Sequence, residues 1–338
     1  MPDAIEPADA GRVVTRRAEH ARQNYDGIVL TCRAAVGDTE PLVYLAHYTR
    51  GVFDFAVSAA GRGAPQPEDH DRLDRSGRQL NLAVARLEKV CGTLDSGALI
   101  RVVLQGEHAA LFHYLKVDGQ SIFGWARGES VEPIRAADLR IFDVVETAVG
   151  GLGLQSINWG GFRTRAAQAS AELAAGARGA ADAPPVEPAA KPHLVSRIRE
   201  RADEEIARRA SDALSVKALH YLGLFREGEP VFCVDILDAA DLAQFFQKTS
   251  PEGRRDGYAA VARQLRLQEN RLEQVLGTVD GGRVMRLVLD VALGAIYVTP
   301  LRDGGILLGV TLEQRLVDDA DAAFGRLSGR VGGRWPQC

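Results

Sequence analysis

Residues that could carry out chemistry are spread thinly along this chain. Among its seven histidines, His108 and His113 lie five positions apart across a strand start, so their side chains face opposite sides. No histidine belongs to an H-E-x-x-H pair or a comparable ligand spacing. The four cysteines lie far apart without a C-x-x-C pair, which favours free thiols in a reducing compartment. We therefore predict no metal site and no catalytic residues.

Nucleotide-binding and hydrolase signatures are also missing. The glycine-rich stretch 150–154 lacks the last glycine of G-x-G-x-x-G and follows a predicted helix, whereas that fingerprint follows a strand. The sequence contains no G-x-x-x-x-G-K-[ST] phosphate loop and no G-x-S-x-G elbow. We predict a chain that is not an enzyme and binds no cofactor.

Two arginines occupy equivalent places on predicted strands. Arg101 and Arg286 alternate with apolar neighbours, so each points to the face opposite those neighbours. One interpretation is an arginine aimed at a partner's carboxylate or phosphate. The interpretation we favour is a solvated strand residue that balances the nearby Asp95 and Asp280.

Composition limits the possible classes of protein. The chain has 338 residues, 46% hydrophobic and 25% charged, as expected of a soluble globular protein with two or three domains. A net charge of −4 gives no overall basic field for nucleic acid or anionic membranes. The polar N-terminus does not resemble a signal peptide, and no apolar run approaches the roughly 20 residues of a membrane helix. We expect a cytoplasmic protein, and the richness in Ala, Arg and Gly suggests a bacterial gene.

An internal duplication organises the chain. Residues 78–126 align without a gap onto residues 263–311, with 19 of 49 positions identical, which indicates two copies of a whole domain. We place the first domain at 10–150 and the second at 193–330. The connector at 151–192 includes a stretch, 166–192, rich in Ala, Pro and Gly that predicts a flexible linker.

Each copy predicts the element order α-β-β-α-β-β-β-α. In the first copy the helices fall at about 11–36, 72–90 and 136–149, and the strands at 42–49, 52–58, 98–105, 109–117 and 121–126. In the second copy the helical regions fall at about 194–214, 240–276 and 315–328, with strands at 218–225 and 231–237 and three more after residue 282.

Two segments carry a family resemblance. They read LIRVVLQGEHAALFHYLKVDGQSIFGWA in the first copy and VMRLVLDVALGAIYVTPLRDGGILLGVT in the second. With the long helix before each, they resemble the Roadblock-type dynein light-chain domains and their longin and profilin-like relatives. The resemblance implies an α/β (α+β) fold, with a five-stranded antiparallel sheet flanked by helices in each copy. It also implies edge-to-edge dimerisation, and a small Ras-like GTPase as partner.

These implications define a candidate interface. An uncovered strand edge needs a partner, and a second copy on the same chain supplies one at high effective concentration. We expect strands 98–105 and 283–290 to pair in an intramolecular pseudo-dimer, with further homo-oligomers left open. The residues expected at this interface are Leu80, Val84, Leu87, Arg101, Leu265, Leu272, Leu276 and Arg286. The predicted function is a non-catalytic interaction module that regulates or scaffolds a small GTPase.

Two alternatives stay open at this point. Residues 258–276 could form a helix-turn-helix around a turn at 267–269, which would make the chain a DNA-binding regulator. Aromatic residues alternate along the predicted strands, and a face with Tyr48 or Tyr114 could hold a small ligand, as in sensor proteins.

Overall fold

The computed structural model describes residues 4–6, 13–21, 25–37, 41–60, 65, 67–115, 119–150, 192–198 and 200–333. Residues 166–191 of the predicted linker lie outside this part of the chain. The first half contains strands β1 (Ala4–Glu6), β2 (Val13–Arg17), β3 (Leu42–Thr49), β4 (Val52–Ala59), β5 (Leu99–Gly106), β6 (Ala109–Leu115) and β7 (Gln120–Arg127). Its helices are α1 (Asp26–Ala35), α2 (Pro67–Cys91) and α3 (Val131–Gly150).

The second half contains strands β8 (His193–Ser196), β9 (Tyr221–Arg226), β10 (Glu229–Asp235), β11 (Val284–Val291), β12 (Gly294–Pro300) and β13 (Ile306–Thr311). Its α-helices are α4 (Arg201–Ala213), α5 (Pro251–Gly277) and α6 (Val317–Arg330). A 3-10 helix, Ala240–Phe245, precedes α5.

All of these strands join one antiparallel sheet. Its 13 strands follow the order β1-β2-β4-β3-β7-β6-β5-β11-β12-β13-β9-β10-β8, so the strand order of the second half mirrors that of the first. The fold is therefore mixed α/β with a large antiparallel sheet. The expected pair of five-stranded sheets differs from this arrangement in two respects. The sheet is continuous across the halves, and the short strands β2 and β8 extend it beyond β4 and β10.

Those two short strands correct two helix predictions. The predicted helix 11–36 is a strand, β2, followed by the shorter helix α1, and the predicted helix 194–214 is β8 followed by α4. In both places the strand's apolar residues lie in phase with the stripe of the helix that follows. Periodicity alone could not separate them, because long-range pairing with β4 and β10 decides their conformation.

Helices cover both faces of the sheet. His113 and Tyr114 are neighbours on β6, so they point to opposite faces. The His113 ring contacts Asn81 of α2, and the Tyr114 hydroxyl donates to Asp138 of α3 at 2.7 Å. Contacts between α1 and α3, and between α4 and α6, place these four helices on one face. The long helices α2 and α5 lie together on the other.

Helix α5 is continuous from end to end. The Ser250 hydroxyl accepts a hydrogen bond from the Gly253 amide at 3.1 Å, and Pro251 stands in the first turn, so the start is well capped. The helix then runs without a break to Gly277. The helix-turn-helix interpretation of 258–276 is therefore wrong, because no turn interrupts the helix at 267–269.

A glycine permits close approach of the two halves where β5 ends. A Cβ atom on Gly106 would lie 2.1 Å from the carbonyl oxygen of Gly281 and 2.5 Å from Leu276 Cδ2. The backbone of one half therefore touches the other half at a point where no side chain fits.

We predict that Gly106→Ala lowers the free energy of unfolding by about 1–3 kcal/mol, because the overpacked junction must shift. The matched control is Gly277→Ala, at a helical position with nothing within 4 Å of the added methyl. That variant should be neutral, or more stable by up to about 1 kcal/mol, because alanine favours helix. Urea denaturation measures both, and equal effects of the two changes would contradict this role of Gly106.

Candidate functional site

The centre of the sheet is the pairing of β5 with β11, which joins the two halves. Val103 lies opposite Val288, Arg101 opposite Asp290, and Gln105 opposite Arg286. These strands are the two that the sequence predicted to pair, and that prediction is confirmed. We call this pair of strands the seam.

Above the seam, α2 and α5 lie side by side and run in opposite directions. Ser76, near the start of α2, contacts Thr278, which caps the end of α5. Further along, Arg86 Nη1 donates to Gln268 Oε1 at 3.3 Å. The seam therefore sets two long helices next to each other on one face of the sheet.

Six of the candidate interface residues, five leucines and one valine, point inward from these helices. Leu80, Val84, Leu87, Leu265, Leu272 and Leu276 are all buried. Leu276 lies against the other half, beside Gly106 of β5. Leu265 and Leu272 instead line a groove between α5 and the sheet of their own half, together with Phe225. Val284 and Leu287 of the seam strand β11 line the same groove.

Arg101 and Arg286 are buried on the opposite face, which corrects the solvated interpretation. The Arg101 guanidinium contacts Asp138 of α3, and its Nε lies 2.5 Å from Asp290 Oδ2 of β11. Arg286 Nη2 lies 2.9 Å from Asp321 Oδ1 of α6. Their carboxylate partners are therefore Asp138, Asp290 and Asp321, and Asp95 and Asp280 are not involved.

The seam contains a buried carboxylate with incomplete hydrogen bonding. Asp290 is fully buried, and its contact with Arg101 Nε is close but lacks the alignment of a hydrogen bond. Burial raises the pKa of Asp290 to about 6, against the opposing effect of Arg101 and with a further increase from Asp138. Such a pair adds little net stability, because the loss of hydration of both charges offsets their attraction.

A third buried arginine, Arg254, ties α5 to the first half. Arg254 Nη1 donates to Ser96 Oγ at 2.7 Å, and Nη2 donates to the Asp95 carbonyl at 3.1 Å. Both acceptors lie in the loop between α2 and β5, so the start of α5 is anchored on the other half. This contact fixes the position of one long helix relative to the other.

The outward face of the two long helices carries the same motif twice. Each helix presents Arg-x-x-x-Leu-x-x-x-Arg along one stripe, because residues four apart share a helix face. The leucines Leu82 and Leu267 are 62% and 77% exposed. The stripes are Arg78, Leu82 and Arg86 on α2, and Arg263, Leu267 and Arg271 on α5.

One glutamine joins the two stripes. The Gln268 side-chain carbonyl accepts from Arg86 Nη1 at 3.3 Å and from Arg271 Nη1 at 2.9 Å. We call this surface the Arg-Leu face. Exposed leucines with flanking guanidinium groups can bind a protein surface that offers an apolar patch bordered by carboxylates. Sequence comparison of the copies aligned these residues, but it did not show that they face solvent.

Sequence reasoning also missed a polar cluster inside the first half. The Asp54 carboxylate lies 2.8 Å from His47 Nδ1 and 3.0 Å from His20 Nε2, and it accepts from the Thr49 hydroxyl at 2.7 Å. Although burial alone would raise the pKa of Asp54, these hydrogen bonds hold it below its usual value. The Tyr25 ring lies tilted against His47, with its centroid 5.0 Å away, and Tyr25 has a strained φ of 137°. His47 is buried, so we assign the cluster a structural role, anchoring the segment before α1 to the β3–β4 hairpin.

The described ranges hold no group of three or more His, Cys, Asp or Glu side chains placed to bind a metal ion. Within the same ranges, none of the helices combines the length and apolar character needed to cross a bilayer.

Comparison with known proteins yields no match to a family model, a curated protein or a solved structure. The likeness to Roadblock-type domains is therefore carried by the sequence pattern alone.

We predict a specific pH dependence from the seam. Because the pKa of Asp290 rises from 3.8 in the unfolded chain to about 6 on folding, stability falls as the pH rises through that window. In the wild type, the free energy of unfolding should therefore fall by about 2–3 kcal/mol between pH 4 and 6.5, and Asp290→Asn should remove this fall. The control Asp280→Asn, at an exposed left-handed turn position that asparagine tolerates, should keep the decline. Unfolding free energies measured across this pH range test the prediction. Parallel curves for the wild type and Asp290→Asn would show that Asp290 does not cause the pH dependence.

Proposed function

We propose that this chain is a non-catalytic protein-interaction module that regulates or scaffolds a small Ras-like GTPase. The single observation that carries the proposal is the repeated Arg-Leu face, a solvent-exposed surface built jointly by both halves. Exposed apolar side chains that lie on two adjacent helices and are bordered by guanidinium groups offer a patch that a protein partner can cover. The Roadblock resemblance supplies the class of partner.

We also infer that the halves are two copies of one unit and form an intramolecular pseudo-dimer. Matching backbone conformations support this proposal. Asp95 and Asp280, which align in the duplication, both have φ of 52°. Gly97 and Gly282 follow with φ of 79° and 74°. Non-glycine residues rarely adopt positive φ, so its recurrence at aligned positions favours a common ancestral loop.

The mechanism in this proposal is surface docking. The seam and the Arg254 contacts hold α2 and α5 in fixed relative positions, so the Arg-Leu face needs little ordering on binding. A GTPase that docks there in one switch conformation would have that conformation stabilised by the difference in affinity. Guanidinium groups at the edges would favour a partner surface that carries carboxylates.

We predict that Leu82→Asp with Leu267→Asp weakens binding to a small GTPase captured by the wild-type chain at least tenfold, as expected when about 1.4 kcal/mol or more is lost from a central contact. Stability should change little, because both side chains are exposed. Biolayer interferometry with the GTPase in each nucleotide state measures the affinity.

The control is Leu30→Asp, which places the same change at a 70% exposed leucine on α1, on the opposite face of the sheet. Binding should match that of the wild type. Loss of affinity in the Leu30 variant, with the double variant unaffected, would place docking on the other face and contradict the proposal. Unchanged nucleotide hydrolysis and failure to capture any small GTPase would remove the GTPase assignment itself.

A further inference from the structure

Each long helix leaves an open groove against the sheet. One groove lies between α2, the turn after β3, and strands β6 and β7, and has a volume of about 460 Å³. The other lies between α5 and strands β9, β11, β12 and β13. The two grooves are lined at aligned positions, including the turns at Arg50–Gly51 and Glu227–Gly228. They are therefore two versions of one feature.

The linings of the two grooves have diverged in chemistry. In the α2 groove, Asn81, His113 and Ser121 make the wall and floor polar. The aligned positions in the α5 groove are Arg266, Val298 and Ile306. Arg266 is already paired with Glu269, so that groove keeps an apolar floor. A polar floor beneath a helix needs hydrogen-bond partners, since buried polar groups are costly when unsatisfied.

The floor of the α2 groove has unused hydrogen-bonding capacity. His113, which is 2% exposed, uses Nε2 to contact Asn81 Oδ1, while His113 Nδ1 and Asn81 Nδ2 have no partner within the described part of the chain. Burial lowers the pKa of His113 to about 4, so the ring is neutral at pH 7. If the Asn81 amide is rotated by 180°, Asn81 becomes the donor to His113 Nε2. One donor and one acceptor of this pair of side chains then still lack a partner.

The rim of this groove is cationic. Arg50 and Arg78 line it, and neither side chain has a hydrogen-bond or ion-pair partner among the described residues. Glu88 is the carboxylate on the same lining. Two unpaired guanidinium groups beside a neutral donor and acceptor match a carboxylate linked to an amide. The volume lies in the range of sites for small organic molecules.

We propose that the α2 groove binds a small organic carboxylate that also carries an amide group, with Arg50 and Arg78 holding the carboxylate and Asn81 and His113 contacting the amide. The aligned α5 groove lacks this set of side chains. The groove shares Arg78 and Leu82 with the Arg-Leu face, whereas Arg50, Asn81 and His113 lie outside that face, and the proposed ligand does not depend on a GTPase partner.

Titration of the full chain with N-acetylglycine, followed by calorimetry and by amide NMR signals, tests the proposal. Saturable binding in the millimolar range or tighter should shift the signals of Asn81 and Gly119. N-acetylglycinamide, which lacks the charge, should bind at least about tenfold more weakly, as expected for loss of a charge-assisted hydrogen bond. Inorganic phosphate binding as well as N-acetylglycine would reveal a simple anion site and overturn the role of the amide.

Two variants and one control assign the residues. Arg50→Gln should weaken N-acetylglycine binding about tenfold, and Asn81→Ala should also weaken it, by removing the amide contact. Glu227→Gln changes the aligned turn residue of the other half, at the same backbone conformation, and should leave binding unchanged. The proposal fails if neither probe binds, if Arg50→Gln and Glu227→Gln behave alike, or if Asn81→Ala binds like the wild type.

Discussion

The pairing of β5 with β11 is the interaction on which the rest of this structure depends. Without it, β5 and β11 would each be an exposed edge strand of an apolar sheet. Exposed edge strands pair readily with strands of other molecules. With it, a single sheet spans the chain and provides one continuous floor for α2 and α5. Both the Arg-Leu face and the anchoring of Arg254 on the first half follow from that floor.

The seam gains specificity from residues that do not contribute well to stability. Asp290 and Arg101 meet across it in a buried setting where solvation is lost and the geometry satisfies the carboxylate only in part. Replacement of such a pair by apolar residues is often neutral or stabilising, while removal of one partner leaves a buried charge. In this chain the aligned pair is Arg286 opposite Gln105, so the two ends of the seam are chemically unequal. In a shifted register, Asp290 would lose its partner Arg101.

Much of this arrangement could be predicted from the sequence, for physical reasons. The duplication predicted the order of the main elements, and the strand following each long helix was the natural free edge. The strands β2 and β8 escaped prediction because Val14 and Val195 sit in phase with the helix that follows, and only pairing with a distant strand reveals their conformation. Burial of Arg101 depends on Asp138 and Asp290, which lie far along the chain. The exposure of Leu82 and Leu267 is equally a product of packing, since helical periodicity alone does not say which side faces the sheet.

Hydrogen exchange along β5 and β11 tests the continuous seam most directly. In an antiparallel strand, alternate amides point to opposite neighbours, so a strand paired on both sides protects all of them. The account predicts that every amide in the paired stretch, including those of Val103 and Val288, exchanges as slowly as the amides of β12 in the middle of the second half. Fast exchange of alternate amides in β5 and β11, with β12 protected, would show two separate sheets and would contradict the account.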